Sequence, residues 1–305
     1  MKQKNITIGS RGSQLALWQS RLIKSLLEEQ HPTIEVTIRV ITTKGDTIQD
    51  IPLPKIGDKG LFTAELESEL INGNIDLAVH SLKDLPTTLP EGLCYAGSPE
   101  RANPTDAFVS TKWKSLKELP ANATIATGSV RRQAAILRLA PGIQFTSLRG
   151  NIDTRLRKLN DLGWDGIIMA TAALQRLGLD EYITEEMIPE EFVPSVGQGA
   201  IGIEIREDRE ELIPILKPIF HNDTVVCCSA ERKFGQVLEA GCSIPLGAWA
   251  RKIDGQIVLT GFVSNFEGSE IILETLSGPF DQPEELGNQL AEQFIARGAR
   301  ALLGT

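Results

Sequence analysis

The stretch TIATGSVRRQAAILRLAPGIQFTSLRGNIDTRLRKL, residues 124–159, sets the fold class in a single reading. Thr124–Thr127 is a short β-rich run. From about Ser129 to Leu139 the apolar residues return at helical spacing. Ile143–Ser147 is a second strand, and a second helix begins at about Ile152. Strands alternating with helices describe βαβ units and sheets rich in parallel strands.

The same alternation extends outward from this stretch. Ile6–Gly9 reads as a strand before a helix from Ser13 to Gln30, with a stripe at Leu15, Leu22, Leu26 and Leu27. Ile34–Thr42 is a strand, Leu61–Asn72 a helix, and Ile75–Val79, Gly166–Ala170 and Ile201–Arg206 are strands. A helix from about Asp223 to Glu239 carries Val226, Ala230, Phe234 and Val237 on one face. After residue 243 the pattern changes. Leu246–Arg251, Gln256–Ser264 and Glu270–Thr275 follow one another, with turns at Asp254–Gly255 and Glu267–Gly268, and a helix runs from about Pro283 to Leu303. That is a small antiparallel sheet in an α+β unit. No internal repeat is visible. The expected division is residues 1–99 with 200–217, then 100–199, then 218–305.

Length and composition bound the function. The chain has 305 residues, 41% hydrophobic and 23% charged, ordinary for a globular protein. No apolar run approaches the roughly 18 residues that span a bilayer, so no membrane partner is expected. MKQKNITIGSRG at the N-terminus has no apolar signal core. Four cysteines without metal-type spacing suggest free thiols in a reducing cytoplasm. His31, His80 and His221 are scattered, so no metal site is expected. No apolar stripe demands a second subunit, which favours a monomer.

The formal charge of −9 is unevenly spread. Residues 121–160 hold Arg131, Arg132, Arg138, Arg149, Arg155, Arg157 and Lys158 against Asp153, a local +6 that leaves −15 on the rest. The plain reading of such a cluster is a solvated helix face. The choice of arginine tilts it toward an anion site, because guanidinium forks grip carboxylate or phosphate bidentately. A nucleic-acid surface would make the whole domain basic and interleave aromatics. Phe145 is the one aromatic in the window, so no nucleic-acid partner is expected.

Polar residues gather where strands end. Arg11 and Ser13 follow the first strand. Ser81, Lys83 and Asp84 follow Ile75–Val79. Thr127, Ser129, Arg131 and Arg132 follow Thr124–Ala126, and Arg149, Gly150 and Arg155 follow Ser147. In open α/β sheets ligands bind at the carboxyl ends of strands, where helix N-termini add unpaired N–H groups. Ser13, Ser129 and Asn151 taken singly are ordinary N-caps. Four clusters together point to a cleft between two α/β domains that takes an organic polyanion. The rival of another class is a non-catalytic anion-binding protein.

Three segments need separate weighing. Residues 43–60, TKGDTIQDIPLPKIGDKG, are broken by glycine and proline and read as a lid or as a plain surface excursion. Gly197–Gly202 fits GxGxxG, but a strand follows instead of a helix, so it is read as a hinge rather than a dinucleotide site. Cys227 and Cys228 read as core. Cys242 sits in a loop after a helix and Gly241, and loop thiols are the reactive kind.

The chain resembles the porphobilinogen deaminase (hydroxymethylbilane synthase) family in GSRGSQLALWQS (9–20), TKGD (43–46), GDKGLFTAELE (57–67), DLAVHSLKDLPT (76–87), DAFVS (106–110), TGSVRRQA (127–134), LRGNIDTRLRKL (148–159), ALQRLG (173–178), PSVGQGAIGIE (194–204) and EAGCSIPLG (239–247). Gly12, Ser243 and Ile244 depart from the pattern without touching a charged position. The resemblance implies two α/β domains like those of periplasmic binding proteins and a third bearing the cofactor cysteine. It implies a transferase that condenses four porphobilinogen molecules, releasing ammonia, into hydroxymethylbilane. Cys242 would hold a dipyrromethane cofactor by a thioether. Asp84 matches the catalytic aspartate, stabilising positive charge on pyrrole nitrogen. Arg11, Lys83, Arg131, Arg132, Arg149, Arg155 and Arg176 match positions that bind the pyrrole carboxylates. Ser13, Ser81, Thr127, Ser129 and Gln198 are neutral donors, and Lys55, Lys59 and Phe62 belong to or adjoin the lid.

Overall fold

The computed structural model describes residues 4–47, 60–239 and 244–304. From the N-terminus come β1 (Lys4–Ser10), α1 (Gln14–Gln30), β2 (Ile34–Val40), α2 (Ala64–Ile71), β3 (Leu77–Ser81) and β4 (Leu93–Gly97). Then follow β5 (Asp106–Val109), β6 (Thr124–Ala126), α3 (Val130–Leu139), β7 (Gln144–Thr146), α4 (Ile152–Asp161), β8 (Gly166–Ala170), α5 (Thr171–Arg176) and β9 (Glu185–Glu186). The chain ends with β10 (Ile201–Arg206), α6 (Asn222–Val237), β11 (Leu246–Ile253), β12 (Gln256–Ser264), β13 (Ile271–Pro279), α7 (Pro283–Ala296) and α8 (Ala299–Leu303). Two compact units result, one from residues 4–47, 60–102 and 200–225, the other from 103–199 and 226–304.

In the first unit the sheet order is β2-β1-β3-β10-β4. β1 is parallel to β2 and β3, whereas β10 is antiparallel to both of its neighbours. One face buries Ile6, Ile8, Leu77, Val79, Ile203 and Ile205 against Ile23 and Leu27 of α1. The other packs Ala78 and Leu93 against Leu66 and Leu70 of α2. The α1 stripe expected at Leu15, Leu22 and Leu26 is rotated. Ala16, Gln19, Ser20, Ile23 and Leu27 are the buried residues, and the other leucines flank them. The buried face thus includes Ala16, Gln19 and Ser20 and is not the one with the most leucines. β3 also runs two residues later than expected, which makes Ser81 its last residue.

In the second unit the order β7-β6-β8-β5-β9 repeats that plan: β6 is parallel to β7 and β8, and β5 is antiparallel to β8 and β9. The likeness of the two sheets is one of topology, with no matching sequence repeat. Phe108, Ile125 and Ile168 face Ala135 and Ile136 of α3 on one side. Ala107, Ala126 and Ile167 face Leu156 and Leu159 of α4 on the other. The sheets are therefore mixed: the expected parallel strands are present, but β5 and β10 run against them.

The C-terminal sheet is antiparallel, β11-β12-β13. Its β11–β12 turn uses Asp254 at φ 49° and Gly255 at φ 79°, both positive as a two-residue hairpin of this hand requires. Phe234 of α6 and Phe294 of α7 meet edge to face over it, with centroids 5.0 Å apart. The single helix expected from Pro283 to Leu303 is broken at Gly298, whose φ of 91° ends α7. Within the second unit, Glu231 of α6 accepts from Gly197 N at 2.7 Å and Ala250 N at 2.8 Å. Ala134, Val193 and Phe262 close a small apolar contact beside it. Cys227 and Cys228 are buried, as expected of core thiols.

Candidate functional site

The strand ends place the polar residues. In the first unit, β3 runs into a single 3₁₀ turn, Leu82–Asp84, whose anchor is Leu82, buried and hydrogen-bonded through its N–H to Ala200 O at 3.0 Å. The turn lifts Lys83 and Asp84 into half-exposed positions. Among the described residues no side chain hydrogen-bonds or ion-pairs with the Asp84 carboxylate. Ser81 exchanges hydrogen bonds with Gln19 on α1, the closer at 2.9 Å.

Arg11 follows β1. Its guanidinium pairs with Asp46 at 2.6 Å and lies 4.3 Å from the centroid of the Phe62 ring. Arg11 Nε is buried without a hydrogen-bond partner among the described residues. Asp46 also accepts from Thr43 N and Oγ1. Burial raises its pKa, but the Arg11 bond and charge and the Thr43 bonds outweigh it and hold the carboxyl below its ordinary value. Phe62 is half-buried and covers Gly45, where a Cβ would strike the ring. Part of the expected lid is therefore structured: Lys44–Thr47 form a helical turn. Lys55 and Lys59 lie outside the described residues, as does Cys242.

Ser13, Ser129 and Asn151 are N-caps. Ser13 Oγ accepts from Ala16 N at 3.3 Å, Ser129 Oγ from Arg132 N at 3.4 Å and Asn151 Oδ1 from Thr154 N at 3.0 Å. Thr127 is buried, and its Oγ1 accepts from Ser129 N.

The densest arrangement lies at the start of α3. Arg131 and Arg132 are both buried and converge on Asp106, which is fully buried at the head of β5. Arg131 donates to Asp106 Oδ2 at 2.8 Å, Val193 O at 2.7 Å and Ser195 Oγ at 3.1 Å. Arg132 donates to Asp106 Oδ1 through Nε at 3.0 Å and a terminal nitrogen at 2.6 Å, and to Ile168 O at 2.9 Å. Gln198 adds a bond to Asp106 Oδ1 at 3.1 Å, and also reaches Pro104 O and Thr105 O. Desolvation pulls the Arg131 guanidinium below its usual value, with Asp106 resisting and Arg132 reinforcing. Gln198 sits in the turn of Gly197 and Gly199, both at positive φ, which leads into β10, so the GxGxxG match opens a strand and not the helix that a dinucleotide site requires.

Arg149 is half-buried, and desolvation lowers its guanidinium. Arg155 donates from Nε to Gly150 O at 2.8 Å. Arg176 reaches Gly199 O at 2.7 Å and is pushed down to about 10 by burial. The second unit thus brings Arg131, Arg132 and Gln198 together around one acid. Asp106 was missed as a site residue, although it opens the quoted DAFVS run. The signal was a basic window with one acid, Asp153, which is exposed on α4, so buried arginines had to find their counter-charge elsewhere. Among the described residues no cluster of histidine, cysteine and acid suits a metal, and no helix is long and apolar enough to cross a membrane.

Comparison with known proteins follows this geometry. Residues 6–214 match the family "Porphobilinogen deaminase, dipyromethane cofactor binding domain", and residues 225–296 match "Porphobilinogen deaminase, C-terminal domain". Among curated relatives, the porphobilinogen deaminase of Methylobacillus flagellatus is 46% identical over 300 residues, covering 98% of this chain and 97% of that one. Those of Chromobacterium violaceum and Desulfitobacterium hafniense are 47% and 48% identical, each covering 98% of this chain and 96% of theirs. Among solved structures, the methionine-binding protein MetQ covers 75% of this chain and 94% of its own at 15% identity and a TM-score of 0.46. A periplasmic substrate-binding protein from Coxiella burnetii covers 74% and 96% at 14% identity and a TM-score of 0.46. The chain belongs to the porphobilinogen deaminase family, the transferases of tetrapyrrole biosynthesis that make hydroxymethylbilane from porphobilinogen on a dipyrromethane cofactor.

Proposed function

We propose that Asp84 is the catalytic carboxylate of this reaction, that Cys242 carries the dipyrromethane, and that Arg11, Lys83, Arg131, Arg132, Arg149, Arg155 and Arg176 receive the carboxylates of cofactor and substrate. The observation that carries the reading is the Asp84 turn: an acid at a strand's carboxyl end, half-exposed, beside Lys83, with no described side chain using its oxygens. A carboxylate in that state is available to a cationic pyrrole. It can stabilise charge that develops there and pass a proton between the reacting carbon and the departing amine.

The donor set suits a polycarboxylate. Arg11 keeps a buried Nε–H without a partner among the described residues, and Arg131 and Arg132 outnumber Asp106. A dipyrromethane carries acetate and propionate groups that guanidinium forks grip bidentately. When bound, it supplies the pyrrole on which the chain grows. Around it, the arginines fix the chain by its carboxylates, Ser81, Thr127, Ser129, Ser13 and Gln198 add neutral donors, and Phe62 with Lys55 and Lys59 forms the cover. Three domains, 1–99 with 200–217, 100–199 and 218–305, complete the reading, as does a cytoplasmic monomer that binds no nucleic acid. The acidic net charge supports the absence of a nucleic-acid partner, and Cys94, Cys227 and Cys228, which form no disulfide, support the cytoplasmic reading.

Intact mass spectrometry tests the proposal. The purified protein carries the mass of two linked pyrrole units, and Cys242→Ala loses it together with activity. A chain that turns over substrate at its unmodified mass overturns the assignment of Cys242.

A further inference from the structure

The Asp106 cluster contains more than a set of ligand-binding arginines. Two guanidinium groups share one carboxylate, and all three side chains are buried. Both oxygens of Asp106 are used, Oδ1 by Arg132 and Gln198 and Oδ2 by Arg131. Each guanidinium has five N–H donors. The bonds described occupy three on each, leaving two apiece with no partner among the described residues. Among the described residues, the ion pairs of Arg131 and Arg132 are both with Asp106. The cluster therefore holds one positive charge in excess.

Its place in the helix sharpens the point. Arg131 and Arg132 are the second and third residues of α3, and the first turn contains no acid. That is the positive end of the helix dipole, where cations are disfavoured and anions favoured. An uncompensated buried guanidinium is costly. Asp106 removes half of the problem and fixes both forks from below, and Phe192 backs Arg131 at 5.8 Å from its centroid. A third ionic partner, an anion from outside, completes the balance.

We infer that Asp106 is a positioning residue that sets the anion capacity of this site: with it in place, Arg131 and Arg132 together take one further carboxylate rather than two. This rests on the proposed contact between those arginines and pyrrole carboxylates. Asp106 touches no substrate. It acts by aiming the forks and by leaving a charge of +1, enough to hold one acetate or propionate group without trapping the chain.

A charge-only comparison at Ser195 tests it. Ser195 Oγ accepts from Arg131 Nε and is half-exposed. Ser195→Asp supplies the missing anion from the protein itself, while Ser195→Asn has the same shape without the charge. In the holoenzyme, Ser195→Asp has a kcat/KM about tenfold or more below Ser195→Asn, because the site is already filled, yet melts at the same temperature or higher. A structural defect would lower both together. Equal turnover in the two variants overturns the inference. Arg149→Leu, outside the cluster, separates the layers. If it slows turnover while the Ser195 pair matches, the charge count is wrong and the carboxylate reading stands. If it too runs at the wild-type rate, the carboxylate reading itself fails. Should Ser195→Asp not fold, Asp106→Asn decides: with two uncompensated guanidiniums it is inhibited by sodium acetate at several-fold lower concentration than wild type. Unchanged or weaker acetate inhibition of Asp106→Asn overturns the proposal.

Discussion

His80 Nε2 stands 2.9 Å from Glu204 Oε2, and both side chains are sealed from solvent between β3 and β10. The remaining oxygen of Glu204 has no hydrogen-bond partner among the described residues, and Glu67 of α2 is close enough for the two carboxylates to repel. Desolvation first, then the charge of Glu204, raises the Glu67 pKa, while Thr63 and His80 pull the other way. His80 lies on β3, the strand that runs into the Asp84 turn, and Glu204 on its neighbour β10, so the pair ties the two strands together.

Removing one member of a buried pair strands the other. Glu204→Leu is expected to cost about 3–5 kcal/mol of stability, read as a lower urea midpoint. A loss under about 1 kcal/mol would mean that His80 finds another acceptor.

Asp46 makes the first unit acid-sensitive. Its folded pKa is depressed below the ordinary 3.8, so its contribution is full above that value and is lost as the pH falls through the folded value. Wild type is more stable than Asp46→Asn at neutral pH, and the gap closes below 3.8. A gap that stays constant from pH 6 to pH 2.5 (values on the order of those at which carboxylates titrate) would remove the Arg11–Asp46 pair as its source.

Asp84→Ala abolishes turnover and leaves the fold alone. The side chain is half-exposed with no described partner, and such substitutions change stability by about 0.5 kcal/mol or less. Thermal melting and rate assays on one preparation separate the two effects. Near-normal rates would rule out the assigned role.

Phe294→Ala opens the C-terminal core. Phe294 is fully buried against Phe234, and truncations of this kind cost about 3–5 kcal/mol. The loss appears in the denaturant midpoint, and a shift of less than about 1 kcal/mol would show that α7 repacks.

The elements that could be read from sequence are those whose signals are local. β8 and β10 were located to the residue because β8 is a continuous apolar run and β10 alternates isoleucine at 201, 203 and 205 with other residues. The N-caps Ser13, Ser129 and Asn151 follow from residue type and the helices they precede. β4 and β5 escaped. β5 is four residues, all buried, without alternation, and β4 lies among prolines and glycines. Their identity depends on partners far along the chain, such as β10 for β4. The site divides in the same way. Arginines at strand ends are visible as a pattern. The acid that binds two of them sits 25 and 26 positions away from its partners, and no spacing rule connects them.

The insertion of β10 between β3 and β4 has a consequence for synthesis. β4 pairs with β10 and with no other described strand, and β10 lies about a hundred residues downstream. A nascent chain ending near residue 102 has every other strand of the first sheet but cannot close it. β3 presents an open edge and β4 has nothing to pair with, the condition that invites wrong pairing. The N-terminal unit therefore cannot finish before residues 103–199 of the second unit have left the ribosome. Closure of its sheet waits on one strand, β10, the strand that also carries Glu204 to His80.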